Sequence, residues 1–70
     1  MLSEMRNRIR VERAEINITQ AELAERIQVS RQTINAMESN KYVPSTILAL
    51  KIARIFNKPV EQIFFLDDTD

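Results

Sequence analysis

Positions 31–35 of the stretch Ser30-Arg31-Gln32-Thr33-Ile34-Asn35-Ala36-Met37-Glu38 carry a guanidinium, two carboxamides and a hydroxyl. On a helix, Ile34 and Met37 fall on one side and Arg31, Gln32, Thr33 and Asn35 are left on the other. Those four groups match base edges in the DNA major groove. Arginine donates to guanine O6 and N7, glutamine pairs with adenine N6 and N7, and threonine can touch a thymine methyl. Ala36 is too short to reach a base, so base reading concentrates on the first turn. Simple polar cover is the ordinary alternative. It is disfavoured, because three weak helix formers in one short helix are a cost without a return.

A second set has the chemistry of phosphate contact. Gln20 stands where a preceding helix would begin, and the free N–H groups and positive dipole end there attract an anion. Ser30 opens the next helix, and Asn40, Lys41 and Tyr42 follow its end. Such contacts set position on DNA rather than read sequence. Each residue taken singly also suits a solvated loop or a helix first turn.

Other chemistries are thinly served. The chain has no cysteine and no histidine, which removes disulfides, thiol nucleophiles, Cys/His zinc sites and imidazole dyads. Glu22 and Glu25 sit at surface helical spacing without partners, so they read as solvated charge and not as an acid–base pair. The expectation is a non-enzyme with no metal, cofactor or small-molecule effector. The charged start Met1-Leu2-Ser3-Glu4-Met5-Arg6 lacks the apolar region of a signal peptide, and no apolar run approaches the ~20 residues of a membrane span. A cytoplasmic protein is expected. Charge is zero overall, with ten bases and ten acids, but Glu61, Asp67, Asp68 and Asp70 place four acids after Val60. A basic body with an acidic tail at 67–70 is compatible with DNA binding.

Helical spacing dominates the elements that must position these groups. A first helix is expected from Ser3 or Asn7 to Ile16, with Met5, Ile9, Val11 and Ile16 inward. Thr19 and Glu22 form a capping-box pattern for a second helix ending at Ile27, with Leu23, Ala24 and Ile27 inward. After a three-residue turn, Ser30 caps a third helix to Glu38. Two short helices on such a turn have helix-turn-helix spacing over about 20–38, although a plain helical hairpin has it too. Pro44 closes the loop after Tyr42. Ser45 or Thr46 opens a fourth helix to Phe56, with Leu48, Ile52, Ala53 and Phe56 inward, and Pro59 suits the first turn of a fifth helix to Phe64. With no glycine in the chain, the left-handed residues that end helices fall to Asn17, Asn40 and Asn57, and to Gln28 at a strain of ~1 kcal/mol or more.

The consecutive apolar residues Ile63, Phe64, Phe65 and Leu66 cannot all face one core from a helix. They are expected to supply a dimer interface, with Phe65 foremost. The end of the chain can also fold back as a short strand against Leu2–Met5, and the two readings are compatible.

The run Thr19-Gln20-Ala21-Glu22-Leu23-Ala24-Glu25-Arg26-Ile27-Gln28-Val29-Ser30-Arg31-Gln32-Thr33-Ile34-Asn35-Ala36-Met37-Glu38-Ser39-Asn40-Lys41-Tyr42-Val43-Pro44-Ser45 resembles the Cro-type, lambda-repressor-like (XRE) family. Pro59-Val60-Glu61-Gln62-Ile63-Phe64 extends the likeness to its short stand-alone members, which include cytolysin repressors. The likeness covers roughly Asn7 to Phe64. It implies an all-α, five-helix domain over 1–70, with room for a short terminal β-ribbon. It also implies a homodimer on double-stranded DNA, a palindromic operator and a transcriptional regulator, a repressor above all. Gln20, Arg31, Gln32, Thr33, Asn35 and Lys41 are then the DNA contacts, and Glu38 ties the domain together through a buried polar contact. Glu12 departs from the family, where leucine is common. Either the first helix is rotated or Glu12 pairs with an arginine such as Arg8 or Arg13. Because a fold does not dictate function, an antitoxin or coactivator-like interaction module is the alternative, which an additional partner-binding segment would signal.

Overall fold

The computed structural model describes residues 5–66. In chain order it comprises β1 (Met5–Asn7), α1 (Ile9–Ile16), α2 (Gln20–Ile27), α3 (Arg31–Glu38), α4 (Thr46–Phe56), α5 (Val60–Ile63) and β2 (Phe64–Leu66). The two strands pair antiparallel in the register Met5 with Leu66, Arg6 with Phe65 and Asn7 with Phe64. This is the five-helix lambda-repressor-like architecture with a terminal ribbon. No helix among the described residues is long and apolar enough to cross a membrane.

The helices begin where short polar side chains can satisfy their first N–H groups. The capping box at Thr19 is complete. The Thr19 hydroxyl accepts from the Glu22 N–H at 3.0 Å, and the Glu22 carboxylate accepts from the Thr19 N–H at 2.9 Å. Ser30 and Ser45 cap α3 and α4 by accepting from the Thr33 and Leu48 N–H groups. Four helices end alike. Asn17, Gln28, Asn40 and Asn57 all take positive φ, and the N–H of each following residue reaches back to a carbonyl five positions earlier, as in Ile18 to Arg13 and Val29 to Ala24. That is the Schellman arrangement, built without glycine.

Ile9, Leu23, Ile34, Met37, Ile52 and Ile63 form the inaccessible centre of the core. Two expected core residues lie outside it: Val11 is 44% exposed and Ile16 is 42% exposed. Val11 sits about 200° around the helix from Ile9, and the left-handed turn at Asn17 brings Ile18 back onto the core in place of Ile16. The first helix also starts later than expected. Met5–Asn7 is strand, and the Asn7 side-chain oxygen accepts from the Ile9 N–H at 3.1 Å, which opens α1 there. The strand expected at Leu2–Met5 therefore lies at Met5–Asn7, and residues 1–4 and the acidic tail at 67–70 fall outside the described residues. Pro59 precedes α5 as its cap rather than lying within it, and Phe64 already belongs to β2.

Glu12 is buried on the inner side of α1 and pairs with Arg8 as expected, but its nearer partner is a lysine that the sequence did not point to. The Lys58 ammonium lies 2.8 Å from its carboxylate and also reaches Glu15 at 3.3 Å, whereas Arg8 stands at 3.7 Å. Hydrogen bonding to Glu12 holds the Lys58 ammonium above its usual pKa against the opposing effect of burial. Arg13, the other expected partner, points to Glu38 instead.

Candidate nucleic-acid interface

The turn between α2 and α3 is set by the left-handed Gln28 and closed by the Ser30 cap, so α3 leaves the core with its N-terminal end free. Ile34 and Met37 hold one side of α3 in the core. Arg31, Gln32 and Asn35 are exposed on the other side, and Thr33 is half-buried beside them. The Thr33 and Ser30 hydroxyls are 2.9 Å apart. Asn40, Lys41 and Tyr42 form an exposed rim just past the end of α3.

Beneath these groups lies a polar network centred on Glu38, whose side chain is inaccessible. Arg13 grips its carboxylate with two N–H groups, Nε at 2.6 Å and Nη2 at 3.1 Å, while Nη1 donates to the Ile18 carbonyl at 3.0 Å. Gln20, half-buried at the start of α2, donates from Nε2 to Glu38 at 3.0 Å and to the Asn35 oxygen at 3.2 Å. Its own oxygen accepts from Arg31 at 3.3 Å. Arg10 adds a charge 3.6 Å from Glu38. Burial pushes the Glu38 carboxyl up, but the hydrogen bonds from Arg13 and Gln20 and the charges of Arg13 and Arg10 outweigh it and hold it below the usual value of 4.5. A bidentate, charge-assisted pair of this kind fixes geometry as well as energy. The line Arg13, Glu38, Gln20, Arg31 thus joins α1, α3 and α2 and braces two of the exposed groups.

The structure gathers Gln20, Ser30, Arg31, Gln32, Thr33 and Asn35 around the α2–α3 turn and the exposed side of α3. The dimer-interface expectation is narrowed. Ile63 is inaccessible and Phe64 is 6% exposed, both within the protomer's core, whereas Phe65 at 41% and Leu66 at 63% face outward. A helix one turn long followed at once by a strand explains the split, since the change of period sends consecutive side chains different ways. Sequence reasoning did not find Arg13 as the partner of Glu38, nor Asn7, whose amide reaches the end of α3. No local pattern marks a contact between residues 25 or 30 positions apart.

Comparisons with known proteins agree with this geometry. The helix-turn-helix family HTH_3 matches residues 9–63. An uncharacterized HTH-type transcriptional regulator of Archaeoglobus fulgidus is 52% identical over 66 residues, covering 94% of this chain and 93% of that protein. One from Methanothermobacter thermautotrophicus is also 52% identical, covering 91% and 94%, and one from Bacillus subtilis is 41% identical, covering 91% and 97%. A crystal structure of a candidate DNA-binding protein from Bacteroides fragilis superposes with a TM-score of 0.79 at 38% identity, over 87% of this chain and 98% of that one. With its exposed third helix, its capped three-residue turn and these relatives, the chain belongs to the XRE-type helix-turn-helix family of DNA-binding transcriptional regulators.

Proposed function

We propose that the protein is a sequence-specific repressor that binds a near-palindromic operator in double-stranded DNA as a homodimer. In this reading α3 enters the major groove, and Arg31, Gln32, Thr33 and Asn35 meet base edges. Gln20, Ser30, Asn40, Lys41 and Tyr42 meet phosphates. The side chain of Gln20 is already engaged with Asn35, Glu38 and Arg31, so its backbone N–H at the start of α2 is the group offered to phosphate. The observation that carries the reading is the exposed set Arg31, Gln32 and Asn35, of which Arg31 and Asn35 are braced from below through Gln20 by a buried ion pair. Base readers held in place lose less freedom on binding.

A single eight-residue helix reads only a few base pairs, and each is worth about 1–3 kcal/mol of discrimination. Two copies on a two-fold axis double the readout and present their helices about 34 Å apart, one turn of DNA. A site covered in this way is closed to other proteins, which favours repression. In the cytoplasm, where this chain is read to act, the genome is the competing pool of sites.

The test is selection of duplexes from a random pool by the purified protein, followed by in vitro transcription from a promoter overlapping the selected site. Two-fold symmetric sequences with half-sites about one helical turn apart, and reduced transcription, are expected. Enrichment of asymmetric sequences would remove the dimeric reading, and no enrichment would remove sequence-specific binding.

A further inference from the structure

Asn7 is the last residue of β1, yet its carboxamide reaches the far end of the recognition helix. Nδ2 donates to the Met37 carbonyl at 2.8 Å and to the Asn40 side-chain oxygen at 3.2 Å, while Oδ1 accepts from the Ile9 N–H at 3.1 Å. These contacts fix which way the amide points, because a flipped amide would set its oxygen against two oxygens and its N–H against an N–H. The Met37 carbonyl also accepts from the Asn40 N–H at 3.0 Å, and the Lys41 N–H bonds the Ala36 carbonyl at 2.8 Å. Asn40 holds a left-handed conformation at φ 61° between them. Asn7 is in turn held by the ribbon, paired with Phe64, and the Arg8 N–H bonds the Ile63 carbonyl at 2.9 Å.

We infer that Asn7 is a positioning residue for DNA binding, a strut from the β-ribbon that sets the loop carrying Asn40, Lys41 and Tyr42 against the backbone of the duplex. The inference rests on the phosphate-contact reading of Lys41. Asparagine suits the post because it both accepts and donates at this reach. Serine keeps an acceptor for the Ile9 N–H in the same local turn but is too short to reach Met37.

The probe is a random-sequence duplex, since phosphate contacts do not depend on sequence. Affinity is measured against salt for the full chain, for Asn7→Ser, for Lys41→Ala and for both together. Lys41→Ala should lower the slope of log K against log salt by about 0.9 for each phosphate that is no longer neutralised. Asn7→Ser should lower it by a similar amount, the double variant should fall no further, and the Lys41 amide should exchange faster. If Lys41→Ala lowers the slope while Asn7→Ser leaves it unchanged, or the two effects add, Asn7 is structural only and the inference is overturned. A slope unchanged in Lys41→Ala overturns the phosphate reading itself, and the role of Asn7 with it. If Asn7→Ser does not fold, Asn7→Thr serves in its place. It keeps a hydroxyl acceptor for Ile9, suits a strand, adds no charge and is likewise too short to reach Met37, and the same outcomes decide.

Discussion

Gln32 is exposed on the first turn of α3 and takes no part in the network beneath Arg31 and Asn35. Removing it should therefore leave the fold alone and act only on the DNA. A bidentate glutamine–adenine contact is worth about 1–3 kcal/mol of discrimination. Gln32→Ala should weaken binding to a selected operator by that amount and binding to random DNA hardly at all, at one salt concentration. Equal losses on both would remove Gln32 from the base readers. Glu38 is the opposite case, important to the fold and hidden from DNA. Its folded pKa lies below 4.5. A carboxylate depressed in this way adds stability above its unfolded value and loses it as pH falls through the folded one. The urea midpoint should hold from neutral pH down to about 4.5 and then drop, and Glu38→Gln should flatten that acid limb while lowering stability at pH 7. Glu22, held down by its bond from the Thr19 backbone, contributes with the same sign. An acid limb unchanged in Glu38→Gln would mean that other carboxylates carry it.

Among the elements, the helix ends carry strain that is open to measurement. Asn17, Asn40 and Asn57 tolerate the left-handed region better than most residues, but Gln28 at φ 61° has no such excuse. Glycine relieves the Cβ clash and gives back part of that gain as freedom in the unfolded chain. Gln28→Gly should stabilise the protein by about 0.5–1 kcal/mol, which for a domain this small raises the thermal midpoint by several degrees, roughly 4 °C. Circular dichroism melts would show it. A fall in the midpoint would instead reveal a stabilising interaction made by the Gln28 side chain. The position lies inside the α2–α3 turn, so an operator affinity that stays constant while stability rises would show that the turn holds its shape without the glutamine.

For the whole molecule one open apolar surface is the end of the ribbon, where Phe65 and Leu66 are exposed while Ile63 and Phe64 fill the core. If that face is the dimer seam, a charge at its centre should separate the protomers without unfolding them. Phe65→Asp is expected to sediment as a folded monomer with weakened operator binding, because a lone protomer lacks the gain of a linked second half-site. A variant still dimeric at micromolar concentration would place the seam elsewhere. Loss of the helical signal would assign Phe65 to the protomer's core.

Much of this protein is written in short-range pattern. Thr19 with Glu22, Ser30 and Ser45 announce three helix starts. Asparagines in a chain without glycine announce three of the ends, and the spacing of Ile34 and Met37 decides which side of α3 is free. Such signals act within a turn or two of helix, and a single sequence is enough to read them. What the tertiary structure alone decided is pairing at long range. Glu12 meets Lys58 across 46 positions and Glu38 meets Arg13 across 25. Asn7 crosses from the ribbon to α3, and the chain turns from helix to strand at Phe64. Arg8 and Arg13 both stood near Glu12 in sequence, yet Lys58 came closest to it and Arg13 turned to Glu38. The docking of the helices decided this, since a buried carboxylate takes whichever cation the packed backbone brings within reach.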